Sequence, residues 1–339
     1  MSRPFLTVLT APVPAEATRV YRRVRAAMRP LVRGRTPRLV PPAYPGHRAV
    51  VRSVVEGLRA VGADFNFNPG RGRDVARVVY APANEALRQA CGWKRAGRLD
   101  FLVAGPVNAL FVDECDGIVQ RPEIDLVIVG SEWARWFYRD APEVARKVRV
   151  CPVGVDAESW KPAGGAAGAH AVVYWKSGDE GFCAAVEAVL ARRGYVARRI
   201  TSRPGEHTLF TPEEFRRALD GAAVAVFLSA FETQGIALAE AWSMDVPTLA
   251  WDPRGPAEWR GRAFPAQSSC PFLTAATGRA WRTLPDLERA LDDARAGRHA
   301  FRPRDWVLAH MTDAVRAAAL DRLIRDEVAA RADETVARR

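Results

Sequence analysis

The chain has 339 residues, 48% of them hydrophobic, which is long for one ordinary core and suits two domains of roughly 150 residues each. Nearly all of its formal charge of +11 sits in residues 1–60, where twelve arginines face only Glu16 and Glu56. Cys91, Cys115, Cys151, Cys183 and Cys270 form no CxxC pair and the five histidines are scattered, which argues against a disulfide framework or a zinc site and for a reducing cytoplasm.

Taken in chain order, the apolar run in Pro4–Leu9 is interrupted soon afterwards by Pro12 and Pro14, so it reads as a first core strand and not as a signal peptide. The segment 19–32 has helical spacing, with Val20, Val24, Met28 and Leu31 on one face and arginines elsewhere. Such a helix either lies on an anionic membrane surface or packs on its own domain with its arginines in water. Short Val- and Ile-rich runs follow at Val78–Tyr80, Phe101–Ala104, Asp125–Val129 and Val148–Val153, separated by helical patterns over Ala49–Val61 and Glu132–Arg146. This is the βαβ alternation of a doubly wound sheet.

Residues 161–170 read KPAGGAAGAH, a composition suited to a flexible linker. Strand-like runs resume at Ala171–Tyr174, Ala197–Ile200, Val224–Ser229 and Pro247–Trp251, again with helical segments between them. A long amphipathic helix is predicted over Asp305–Ala330, with Asp305 as its N-cap. The domains are therefore expected at 1–160 and 171–310, joined by the 161–170 linker and followed by a helix and tail over 311–339. No apolar run approaches the roughly 18 residues that span a bilayer.

The chemistry concentrates in residues 223–252, AVAVFLSAFETQGIALAEAWSMDVPTLAWD. A buried strand runs into a short loop, and a helix starts near Thr233–Gly235. In open α/β sheets, ligands bind where strands end and helix N-termini present free N–H groups, and the positive end of the helix favours an anion there. Gly235 would let the backbone approach a phosphate closely. Glu232 in the loop and Glu240 two turns into the helix offer paired carboxylates as acceptors for sugar hydroxyls. Two surface glutamates on an amphipathic helix would give the same spacing.

This stretch resembles the Glu-x7-Glu motif of retaining GT-B glycosyltransferases, the family-4, group 1 superfamily, in its order of strand, Ser, Glu, Gly, helix, Glu-Ala, loop and Pro-Thr-Leu-Ala. Residues 129–162 also look like the family's end of the first domain, with Gly154-Val155-Asp156 matching and Val153 standing where the family usually has Asn. The resemblance implies an α/β, GT-B fold: two Rossmann-like domains facing a cleft, with a long C-terminal helix. It further implies transfer of a sugar from a nucleotide-sugar donor to a hydroxyl acceptor with retention, without a metal or other cofactor.

On that resemblance, Glu232 orients the donor sugar and Lys176 neutralises the departing diphosphate, although the arginine that usually accompanies it is missing. Ser229, Thr233, Gln234, Gly235, Ile236 and Glu240 hold the donor. Asn66, Asn68, Gly105, Asn108 and Ser131, placed after predicted strands of the first domain, are candidates for the acceptor side, and His47 is the only candidate for the family's first-domain histidine. The basic front end reflects either a compositional preference for arginine or an anionic or lipid-linked acceptor with peripheral contact at the inner membrane surface of the cytoplasm; no nucleic acid is expected. Two other readings keep this fold: a nucleotide-sugar epimerase or phosphorylase, and a non-catalytic protein that binds a membrane or polyanion. There is no Asp-x-Asp, GxGxxG or GxxxxGK[ST], which leaves a metal-bridged diphosphate, a dinucleotide oxidoreductase and a P-loop kinase unsupported.

Overall fold

A computed structural model describes residues 3–14, 48–106, 108–164, 168–202, 210–259, 261–265 and 269–337. The chain divides into two compact units: Met1–Gly130 with Arg135–Pro152 and Ala317–Arg339, and Ser131–Ala134 with Val153–Arg316. The basic helix expected over 19–32 lies outside the described residues.

In the first unit, β1 (Leu6–Val8), β2 (Phe65–Phe67), β3 (Val78–Ala81), β4 (Phe101–Ala104), β5 (Leu126–Val129) and β6 (Val148–Val150) form one parallel sheet in the order β2-β1-β3-β4-β5-β6. The runs VVYA, FLVA and LVIV are buried at every position, as strands covered on both faces must be. Helices α1 (Arg48–Ala60) and α2 (Asn84–Arg95) bury an apolar stripe each, Val50, Val51, Val54, Val55 and Leu58 on α1 and Ala86, Leu87, Ala90 and Cys91 on α2.

The second unit holds β7 (His170–Trp175), β8 (Val196–Thr201), β9 (Val224–Leu228), β10 (Thr248–Trp251), β11 (Pro256–Trp259), β12 (Arg262–Pro265) and β13 (Gly278–Trp281). Five of them form a parallel sheet ordered β13-β10-β9-β7-β8, while β11 and β12 pair as an antiparallel hairpin. Side chains alternate across the sheet, so two cores form. Tyr174, Ala225, Phe227 and Ala250 meet Phe215, Leu238 and Trp242 on one face. Val173, Val226, Leu228 and Leu249 meet Val186, Leu190, Leu287 and Leu291 on the other. These faces are covered by α3 (Glu180–Arg192), α4 (Pro212–Leu219), α5 (Ile236–Ser243), α6 (Leu284–Arg295) and α7 (Pro303–His310).

Two predicted helices are broken. The 132–146 segment is two short helices, Glu132–Trp136 and Pro142–Ala145, because Pro142 excludes Ala141 from helical geometry (φ −121°, ψ 82°). The 305–330 segment is α7 followed by α8 (Asp313–Ala337). Asp305 is not an N-cap: α7 starts at Pro303, Arg302 holds the cap position, and Asp305 lies in the first turn. The interruption at Met311–Thr312 has a backbone cause. Val155 N–H donates to the Met311 carbonyl at 2.9 Å and Asp313 N–H donates to the Val155 carbonyl at 3.0 Å, so the chain there is bridged to the Gly154-Val155 turn and leaves the helical ladder. A Cβ on Gly154 would stand 2.5 Å from three backbone atoms of Thr312 and Asp313, which explains glycine at this point of the Gly-Val-Asp turn.

Residues of α8 through Arg316 belong to the second unit and the remainder to the first. There Leu320 and Ile324 are buried, Glu327 meets Arg149 at 2.6 Å, Arg331 lies 3.7 Å from Asp125, and Arg325 stacks over the ring of Phe5.

Candidate functional site

Parallel strands β7 and β9 are neighbours, so the segments that leave their C-terminal ends lie side by side. Lys176 N–H and Ser177 N–H both donate to the Leu228 carbonyl, at 3.0 and 2.8 Å, and Ala230 N–H donates to Ser177 Oγ at 3.1 Å. The two ends are thereby tied together, and Lys176 Nζ reaches Glu232 Oε1 at 2.7 Å across 56 residues of sequence. Their side chains are 26% and 13% exposed, enough to meet a ligand and too little for water to screen the pair fully. Ser229 Oγ lies 2.9 Å from both Glu232 Oε1 and the Phe231 carbonyl; its single proton serves one of them at a time.

Gly235 occupies the N-cap position of α5 with φ +80° and ψ +59°, a left-handed conformation that favours glycine, and a Cβ there would meet Leu238 Cδ1 at 2.6 Å. The amides of Ile236 and Ala237 open the first turn, where a helix leaves N–H groups without intrahelical acceptors. Thr233 is exposed, and Ile236 and Glu240 are half-buried. Tyr174, at the end of β7, connects the two carboxylates electrostatically. Burial pushes its hydroxyl up to about 12; the Ser202 side chain opposes this, while the charges of Glu232 and Glu240 add to it. Tyr174 and Ser177 were not singled out by sequence reasoning. The position of YWKS at the end of an apolar strand was the signal that could have found them.

Gln234 has another role. Its Oε1 accepts from Val153 N–H at 3.0 Å and its Nε2 donates to the Val153 carbonyl at 2.7 Å, with the side chain buried. It therefore acts as a strand-like partner for the turn before Gly154. Gln234→Ala is expected to cost about 2–4 kcal/mol, because two buried backbone groups lose their partners; chemical denaturation measures it, and an unchanged midpoint refutes the assignment.

The acceptor-side candidates find partners within their own units, Ser131 in the second and the others in the first. Asn66 Oδ1 accepts from Thr7 Oγ1 at 2.7 Å and its Nδ2 donates to the Asp74 carbonyl at 2.7 Å; it sits in β2, where the sequence suggested only a loop. Asn68 accepts from Thr10 N–H and donates to Thr10 Oγ1. Asn108 is buried, accepting from Gly105 N–H and donating to Asn84 Oδ1. Ser131 Oγ accepts from Ala134 N–H at 3.1 Å and so caps a short helix. Gly105 precedes Pro106 through a cis bond. His47 lies outside the described residues. Among the described residues no group of three or more His, Cys, Asp or Glu side chains is arranged to hold a metal, and no helix is long and apolar enough to cross a membrane.

No family profile matches the sequence and no curated protein matches it. Solved structures do match. HepE of Anabaena, in complex with UDP and glucose, is 11% identical with a TM-score of 0.55, covering 95% of this chain and 99% of that one. Sucrose-phosphate synthase of Thermosynechococcus elongatus is 17% identical with a TM-score of 0.52, over 75% and 74% of the two chains. The lipopolysaccharide outer core galactosyltransferase WaaB is 9% identical with a TM-score of 0.52, over 95% and 99%. At these identities the likeness is one of fold: the chain has the GT-B fold, as the resemblance of residues 223–252 implied.

Proposed function

We propose that this chain is a glycosyltransferase whose second unit binds a nucleotide-sugar and passes the sugar to a hydroxyl acceptor with retained configuration, the acceptor being held by the first unit. The observation that carries the reading is the meeting of Lys176 with Glu232 at 2.7 Å beside the glycine-started helix that bears Glu240. A diphosphate on the first turn of α5 would receive the Ile236 and Ala237 amides and share the Lys176 ammonium, so negative charge growing on the leaving group meets fixed positive charge. Glu240 then accepts from ribose hydroxyls and Glu232 orients the donor sugar, with Ser229 fixing its rotamer. In the retaining reading the leaving diphosphate takes up the proton of the attacking hydroxyl on the same face, so no covalent nucleophile and no metal is assigned. HepE, which shares the fold, is known with UDP and glucose bound, which supports a donor of this class. Arg3, with Arg48, Arg52 and Arg59 on α1, is the described part of the arginine-rich front end, and these residues support an anionic acceptor met at the cytoplasmic membrane surface.

Thermal unfolding with uridine, guanosine, thymidine and adenosine diphosphates tests this. At least one should stabilise the wild type, by about 2.7 kcal/mol at one hundred times its dissociation constant, and Glu240→Gln should remove that gain. Failure of all four on the wild type, or an undiminished gain in the variant, overturns the proposal.

A further inference from the structure

The second unit carries another depression, which Lys176, Glu232, Gly235 and Glu240 do not line. A groove of about 590 Å³ runs between edge strand β13, one face of α6 and the loop after β10. Hydrogen bonds tie its floor together: Asp252 N–H donates to the Trp281 carbonyl at 2.8 Å, Trp281 Nε1 donates to the Leu249 carbonyl at 3.1 Å, and Trp251 Nε1 donates to the Arg282 carbonyl at 3.3 Å.

Its charges divide into two groups. Arg254 Nε donates to Asp252 Oδ2 at 2.8 Å, and Arg289 pairs with Asp286. Arg279 and Arg282 line the same groove without a carboxylate within ion-pair distance among the described residues. Arg279 instead directs Nη2 at His299 Nδ1, 3.1 Å away, and His299 Nε2 lies 3.7 Å from Asp293. A guanidinium donates only, so His299 accepts at Nδ1 and carries its proton on Nε2, facing the carboxylate. The arrangement steers Arg279 without neutralising it. Asp252 is 7% exposed, and its Oδ1 has no hydrogen-bond partner, an uncommon condition for a buried carboxylate oxygen.

We infer that this groove is a second ligand site, for a small phosphate monoester bearing hydroxyl groups, with Arg279 and Arg282 on the phosphate and Asp252 accepting from a hydroxyl. Planar guanidinium groups suit phosphate oxygens, which they meet through paired N–H donors. The volume exceeds that of a bare phosphate and falls in the range of small-ligand sites. The carboxylate with an unmet acceptor calls for a donor, which a hydroxyl of a sugar or polyol phosphate supplies while the phosphate stays on the arginines. Asp252 follows β10 beside the β9 end that carries Ser229, but the groove takes no lining from Lys176, Glu232, Gly235 or Glu240, so the inference does not depend on the donor reading.

Isothermal calorimetry on the full chain tests it with glucose 6-phosphate, glucose and inorganic phosphate as probes. Glucose 6-phosphate should bind with unit stoichiometry, unaffected by Lys176→Ala, and more tightly than either other probe. The double variant Arg279→Ala/Arg282→Ala should weaken it at least about tenfold, as expected for lost charged hydrogen bonds. Should the double variant not fold by circular dichroism, Arg282→Gln alone carries the test, with a loss of about threefold or more expected. Binding of glucose as tight as that of its phosphate overturns the role of the arginines, and binding of inorganic phosphate as tight overturns that of Asp252. No heat with glucose 6-phosphate up to about 10 mM, or loss on Lys176→Ala in place of the arginine changes, overturns the site.

Discussion

Lys176→Ala is expected to lower the rate of sugar transfer by about 10²–10³-fold while the second unit stays folded, the effect of removing one preorganised charge from a developing anion. The ammonium is held 2.7 Å from Glu232 by strand ends tied together through the Leu228 carbonyl, so little reorganisation is needed when a diphosphate arrives. The substitution leaves Glu232 with the Ser229 hydroxyl, and the loss of one charged hydrogen bond should cost about 1–3 kcal/mol of stability. Turnover of a nucleotide-sugar and urea denaturation, measured on the same preparation, separate the two effects. Full turnover by the variant would remove Lys176 from the reaction.

The largest effect on folding is expected at Gly105. Gly105→Ala should destabilise the first unit by about 3–5 kcal/mol, a large part of the 5–15 kcal/mol typical of a native protein. Its φ of +99° lies in the region that side chains avoid, and a Cβ would be driven into the backbone carbonyl of Ile128 on β5. Neither β4 nor β5 can yield without breaking the sheet between them. Soluble yield and the denaturation midpoint check this, and a variant of wild-type stability would show that the backbone at Gly105 can shift.

The centre of each sheet and the edge strands β6 and β8 were legible in the sequence, while the opposite edges, β2 and β13, were not. VVYA, FLVA and LVIV are continuous apolar runs because both faces are covered. By contrast β2 is only FNF, β13 is GRAW with two exposed positions, and β11 and β12 are mostly exposed, so no apolar run marks them. Breaks imposed from a distance were equally hidden. The interruption before α8 comes from Val155, more than 150 residues earlier in the chain.

The same holds for the site. Glu232, Gly235 and Glu240 are local in sequence and stand out together, whereas Gln234 takes its meaning from Val153, 81 residues away. Asn66, Asn68, Asn108 and Ser131 show the converse. An amide or hydroxyl after a strand suits a sugar and suits a turn equally, and only the partners reveal that each is engaged by its own loop, by β1 and the residues after it, or by the start of α2.

Neither unit is continuous along the chain, and this imposes an order on biosynthesis. The stretch that shields Phe5, Asp125 and Arg149 is translated only after every residue of the other unit has been made. The half whose translation starts first is therefore finished second. Until residues 317–337 emerge from the ribosome, its sheet stands without that cover, a partly built intermediate of the kind chaperones hold.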